Sequence, residues 1–183
     1  MRLFTAIDLP ADVLDNLESL LERLKPTAPL RWSLRENLHV TTKFIGEWPE
    51  HRRAELEAVL AGLTAFDPIP ISLRGLGFFP HERAPRVFWV GVEAGPGLAD
   101  LARQTDAALA RLGVPAETRP FSPHLTLARI KEPVPLARLK RAIAELPSKE
   151  FGCFQADRFY LYLSELRPGG SVYTKLSEFR FRP

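Results

Sequence analysis

Two short segments of the 183-residue chain carry the same pair of side chains. One is "ENLHVTTKF" (36–44), with His39 and Thr41. The other is "RPFSPHLTLAR" (119–129), with His124 and Thr126. The chain has four histidines, and two of them stand in His-x-Thr. Both segments read as strands, where residues i and i+2 share a face. Each copy therefore presents an imidazole beside a hydroxyl, with Val40 or Leu125 turned the other way. If the two strands face each other, two imidazoles and two hydroxyls converge on one cleft. That set suits displacement at phosphorus, which needs a base on the entering oxygen and an acid on the leaving one. Imidazole titrates near neutrality, so one ring can accept a proton while the other donates. The hydroxyls can donate to the non-bridging oxygens, where charge accumulates. A metal would want more ligands than two separated histidines, and no His/Asp/Glu triad stands out nearby, so no metal centre is expected. A single His-x-Thr says little, because a strand histidine is usually structural and threonine is a good strand former. The repetition carries the signal.

The elements that must position these pairs can be read from periodicity. "RLFTAID" (2–8) is strand-like, and Asp8 before Pro10 suits a helix start, with Asp8 as the cap. Val13, Leu14, Leu17, Leu20, Leu21 and Leu24 then recur at helical spacing. Residues 30–33 and 38–45 read as strands, and 49–65 as an amphipathic helix. Residues 69–79 form a strand with a bend at Gly75 and Gly77, followed by a loop (80–85) and a buried strand (86–92). Further helices are expected at 97–112 and 135–146, with a strand at 124–130 between them. The tail reads as one hairpin, with runs 154–166 and 171–181 around Pro168-Gly169-Gly170. This mixture predicts an α+β fold in one domain over 1–183, since no linker separates two independent units.

Composition narrows the setting. The chain is 45% hydrophobic and 26% charged, enough to bury a real core. The lone Cys153 forbids an internal disulfide and is expected to be buried or inert. The N-terminus lacks the apolar run of a signal peptide and nothing has the length of a membrane span, so a cytoplasmic protein is expected. The net charge of +3 leans weakly toward an anionic partner.

The sequence resembles the 2H phosphoesterases, and among them the bacterial and archaeal RNA 2',3'-cyclic phosphodiesterases once named 2'-5' RNA ligases. The resemblance rests on "MRLFTAIDLP", "NLHVTTKFIGEW", "GLGFFPHERAPRVFWVGV", "FSPHLTLARI" and "FYLYLSELRPGGSVYTKLSEF", which span the chain. It implies a bilobal pseudo-two-fold fold, with two mainly antiparallel sheets flanking a central cleft and helices outside. It implies metal-independent hydrolysis of a 2',3'-cyclic phosphate RNA end to a 2'-phosphomonoester, without a cofactor. His39 would be the proton donor and His124 the proton acceptor, with Thr41, Thr126 and Arg129 on the phosphate. The reverse reaction, a 2'-5' ligation, and a non-catalytic RNA or nucleotide binder using the same cleft are the alternatives. A monomer is expected.

Other side chains are candidates for RNA contact. In a regular strand Arg129 points away from the His124 face and reaches it only if the strand bends. Trp32 and Phe44 could stack a base, although core packing is the expectation for Phe44. Lys43, Arg31, Arg83 and Arg86 could line an anionic approach, and His81 could reach substrate from its loop. His51 is expected on an exposed helix surface. Thr42 occupies a motif position that is usually apolar in the family, and its side chain should face the core. Tyr160, Tyr162 and Tyr173 are expected to be structural.

Overall fold

The computed structural model describes residues 1–182 and has nine strands and four helices among them. In chain order they are β1 (Arg2–Asp8), α1 (Ala11–Leu24), β2 (Arg31–Trp32), β3 (His39–Glu47), α2 (Arg53–Ala61), β4 (Ile69–Phe79) and β5 (Val87–Ala94). They continue with α3 (Pro96–Ala110), β6 (His124–Arg129), α4 (Ala137–Ala144), β7 (Glu150–Ala156), β8 (Arg158–Arg167) and β9 (Gly170–Arg180). The fold is α+β. One sheet has the order β3-β1-β8-β9 and the other β2-β6-β5-β4-β7. Every pairing is antiparallel.

Helix α1 follows β1 of the first sheet but packs on β7 of the second, while α3 follows β5 of the second and packs on β3 of the first. The leucine stripe explains the α1 placement: Val13, Leu17, Leu20, Leu21 and Leu24 are all buried. The buried residues of both sheets form one continuous apolar cluster, from Leu3 and Ile7 through Phe88 and Leu125 to Phe159. Strands β3 and β6 approach each other where the sheets meet.

Each motif strand contains a bulge at the same place. In β3, Thr41 pairs with Ala6 and Lys43 with Thr5, which leaves Thr42 as the extra residue. In β6, Thr126 pairs with Trp89 and Ala128 with Phe88, which leaves Leu127. A bulge breaks the two-residue alternation. Two successive residues then turn inward, Thr42 and Lys43 in one strand and Leu127 and Ala128 in the other, all buried. The following residues, Phe44 and Arg129, return to the face that carries His and Thr. Ser33 supports the second bulge: its N–H donates to Leu127 O (2.8 Å) and its Oγ to Thr126 O (2.9 Å).

Three local expectations differ. Asp8 does not cap α1; the cap position is Pro10, without a side-chain bond, and the Asp8 carboxylate is held by β8 and β9 instead. The helix expected over 49–65 is a 3-10 turn at Glu50–Arg52 followed by the shorter α2. The run 154–166 is divided at Asp157, with β7 in one sheet and β8 in the other. Continuous alternation cannot reveal a strand that changes sheets.

Candidate active site

On the β3 side, His39 lies against a wall of aromatic rings. Its imidazole stacks on Phe4 (centroids 4.9 Å apart) and lies 5.9 Å from the Tyr162 ring, with Tyr173 edge-on at 5.2 Å. Strand pairing produces this wall, because Phe4 is paired with both Phe44 and Tyr162 and all three share the face of His39. The rings strip water from the imidazole, and burial lowers the His39 pKa from its ordinary 6.5 to about 4. Asp8, paired across the strands with His39, and a hydrogen bond to the Asn37 backbone oppose the shift; the Arg129 guanidinium adds to it. Arg129 stands on the other sheet, so its field reaches His39 across the cleft. Asp8 accepts a hydrogen bond from Tyr162 Oη (2.5 Å) and pairs with Lys175 Nζ (2.6 Å). Burial, with the Asp8 carboxylate beside it, raises the Tyr162 pKa and keeps the phenol a donor.

The β6 side is built differently. His124 Nδ1 lies 2.9 Å from Ser122 O. With Nδ1–H donating there, the neutral ring leaves Nε2 as an acceptor. Phe79 stands edge-on to the imidazole at 4.9 Å and packs on Trp89 at 5.0 Å. The strand neighbour of His124 is Gly91, and that of Trp89 on β4 is Gly77. A Cβ at Gly77 would collide with the Trp89 indole, and one at Gly91 with the Arg74 carbonyl. Glycine at these positions lets the indole lie flat on the sheet and leaves a hollow beside His124. The hollow is a groove of about 520 Å³, lined by Arg74, Leu76, Phe79, Trp89, Gly91 and His124 among others.

Thr41 and Thr126 are half-buried on the faces of their histidines, and Arg129 joins them through the bulge. Thr42 is buried, as expected, and its hydroxyl is 2.7 Å from that of Thr5. Several sequence candidates are placed elsewhere. Trp32 faces the core together with its strand partner Ala128, stands edge-on to Phe88 and donates its indole N–H to Ala28 O (3.0 Å). Lys43 is 3% exposed, with Nζ bound by Asp106 (2.8 Å), Pro115 O (2.9 Å) and Glu117 (3.2 Å), so it is no part of an approach path. Arg86 donates to Lys131 O (3.0 Å), and His81 Nδ1 accepts from the Ala84 N–H (3.3 Å). Both therefore tie down the loop after β4. Arg83 and Arg86 line a separate groove with Glu82, Pro133 and Lys140. Phe44 reverses its expectation: it is 61% exposed, because the Thr42 bulge turns it out of the core. Cys153 is also exposed, on β7.

Sequence reasoning did not place Phe4, Asp8, Tyr162 and Tyr173 around His39. Their alternation with buried residues was visible, but the pairing of β1 with both β3 and β8 was not. Among the described residues, no three His, Cys, Asp or Glu side chains gather as a metal-ion site, and no helix is long and apolar enough to cross a membrane.

The chain and its fold match known proteins. Residues 10–167 match the family model described as the 2'-5' RNA ligase superfamily. The RNA 2',3'-cyclic phosphodiesterase of Methanothermobacter thermautotrophicus is 36% identical over 182 residues, covering 98% of each chain. That of Thermus thermophilus is 35% identical, covering 100% of this chain and 91% of the relative. The crystal structure of E. coli LigT complexed with 3'-AMP superposes with a TM-score of 0.81 at 30% identity, covering 100% of this chain and 98% of that one.

Proposed function

The chain belongs to the 2'-5' RNA ligase superfamily, and from that premise we propose that it hydrolyses the 2',3'-cyclic phosphate at RNA ends to a 2'-phosphomonoester. The observation that carries this reading is the repeated strand device. Two His-x-Thr segments, each followed by a bulge, present their side chains from two sheets to one cleft. His124 Nε2 takes a proton from water as the water oxygen bonds to phosphorus. The P–O3' bond breaks on the opposite side, and His39 delivers a proton to the departing O3'. The 2'-ester bond remains. Thr41, Thr126 and Arg129 hold the non-bridging oxygens, where a charge-assisted contact strengthens as negative charge builds.

His39 is neutral in the free protein at pH 7, since its pKa is about 4. Its role as acid therefore requires a proton taken up with the anionic phosphate, whose charge favours the imidazolium. No metal ion is needed, since two side chains supply both proton transfers. One chain supplies both motif strands and acts as one catalytic unit, so a monomer suffices.

The decisive test incubates the protein, in EDTA, with a short RNA ending in a 2',3'-cyclic phosphate, and separates 2'- from 3'-phosphate products. The expected product is the 2'-phosphate, lost in His39→Ala and in His124→Ala. Full activity in both variants overturns the reading, and tight RNA binding without turnover points to a binding protein. A second reading, 2'-5' ligation, needs room for a 5'-hydroxyl acceptor beside His124, and the open groove of about 520 Å³ there offers it. A 5'-hydroxyl oligonucleotide added as acceptor distinguishes the two by its joined product.

A further inference from the structure

Arg31 and Arg129 are direct cross-strand partners on β2 and β6, and both are exposed. Directly opposed residues in an antiparallel pair share a face. The Leu127 bulge puts Arg129 on the face of His124 and Thr126, so Arg31 lies on that face too, one strand farther out. Two guanidinium groups opposed in this way repel each other. Among the described residues no carboxylate pairs with either, whereas Arg35 is held by Asp15 and Glu18, Arg74 by Glu93 and Glu150, and Arg158 by Asp157 and Glu178. Other arginines among the described residues, Arg2 and Arg23 for example, also lack a carboxylate; what sets Arg31 and Arg129 apart is that they stand opposed on neighbouring strands, on the face of His124. Folding gains nothing from the arrangement; an anion with two separated charges does. Strands lie about 4.8 Å apart, a spacing of the same order as that between successive phosphates of a single strand.

We propose that Arg31 binds the 5'-phosphate of the terminal nucleotide while Arg129 holds the cyclic phosphate, so that the preferred substrate is an RNA end with a phosphodiester upstream rather than an isolated nucleoside 2',3'-cyclic phosphate. This rests on the cyclic-phosphate reading for the inner group only. Arg31 acts on affinity and substrate choice and takes no part in proton transfer.

Binding tests it without requiring turnover. Dissociation constants are measured by calorimetry for adenosine 2'-monophosphate and adenosine 2',5'-bisphosphate. In the wild type the added 5'-phosphate tightens binding roughly tenfold or more, as expected for a charge-assisted contact. In Arg31→Gln that ratio falls to near one, and Arg31→Lys retains part of it. Arg103→Gln, on the surface of α3, leaves the ratio at the wild-type value. A wild-type ratio near one, or an Arg31→Gln ratio equal to that of the wild type, overturns the proposal. Turnover of adenosine 2',3'-cyclic phosphate with and without a 5'-phosphate is measured in parallel. If neither these nor a short RNA with the same end is hydrolysed, the catalytic reading fails, while the binding ratio still decides the role of Arg31.

Discussion

The sharpest physical consequence of the aromatic wall is the state of His39, and pH is the perturbation that exposes it. In the unfolded chain the imidazole titrates near 6.5; in the folded protein it titrates at about 4. Between these values the unfolded state binds the extra proton, so stability rises with pH. The effect is absent above about pH 7.5, grows as pH falls through 6.5 and levels off below 4. The full shift corresponds to about 3 kcal/mol, a sizeable share of the 5–15 kcal/mol typical of a domain. Urea unfolding of the wild type and of His39→Gln at pH 7.5 and pH 4.5 isolates this contribution, since other titrating groups are common to both. The wild type should lose about 2.5 kcal/mol more than the variant across that interval. Direct titration of the His39 ring by NMR should give a midpoint well below that of a free imidazole. Parallel losses in the two proteins, or a midpoint near 6.5, would refute the desolvation argument and with it the need for proton uptake on substrate binding.

Four further outcomes are expected. Arg129→Gln removes a cation that depresses His39, so the His39 titration should move upward while kcat/KM for the cyclic phosphate falls. Thr42→Val leaves the Thr5 hydroxyl buried without its 2.7 Å partner, at a cost of about 1–3 kcal/mol. Adding Thr5→Val should recover much of it, seen as non-additivity in a urea double-mutant cycle. Asp106→Ala leaves the buried Lys43 ammonium without its nearer carboxylate and should cost of the order of 3 kcal/mol by thermal unfolding, with RNA affinity of the folded protein unchanged. Phe44→Ala, at an exposed ring on the His39 face, should raise KM for oligonucleotide substrates without lowering stability, measured by kinetics alongside a melting curve.

Much of this was legible in the chain because both signals are local. Val13 to Leu24 announce α1, and the two His-x-Thr strands announce themselves by side-chain type and spacing. The bulges were not legible. Nothing in "HVTTKF" says that Thr42 will be squeezed out of register, because the partner strand β1 imposes the slip. That omission accounts for the misplacement of Phe44 in the core and for the strand-bend condition placed on Arg129. Lys43 looked like a surface cation for the same reason. The bulge turns it inward, where Asp106 on α3 and Glu117 in the following loop wait, partners more than sixty residues away in sequence. The contact of Tyr162 and Tyr173 with His39 was not legible either, because only the pairing of the neighbouring strands brings their rings there.

A pseudo-symmetric cleft poses a problem that its strands alone do not solve. Acid and base must differ, yet β3 and β6 repeat the same His, the same Thr and the same bulge. The difference comes from the strands alongside. Next to β3, β1 and β8 contribute Phe4 and Tyr162, with Tyr173 from β9, and these rings enclose His39 and favour its neutral form. Next to β6, β5 contributes Gly91 and Trp89, with Gly77 beyond on β4, and these leave His124 at the edge of an open groove. A substrate entering this cleft meets a closed side and an open side. On the proposed mechanism the enclosed histidine gains its proton when an anion arrives, which couples its acid function to occupancy, and the open histidine meets water or an acceptor hydroxyl directly. In that mechanism the duplicated motif supplies the two proton carriers, and the unduplicated neighbours set them apart.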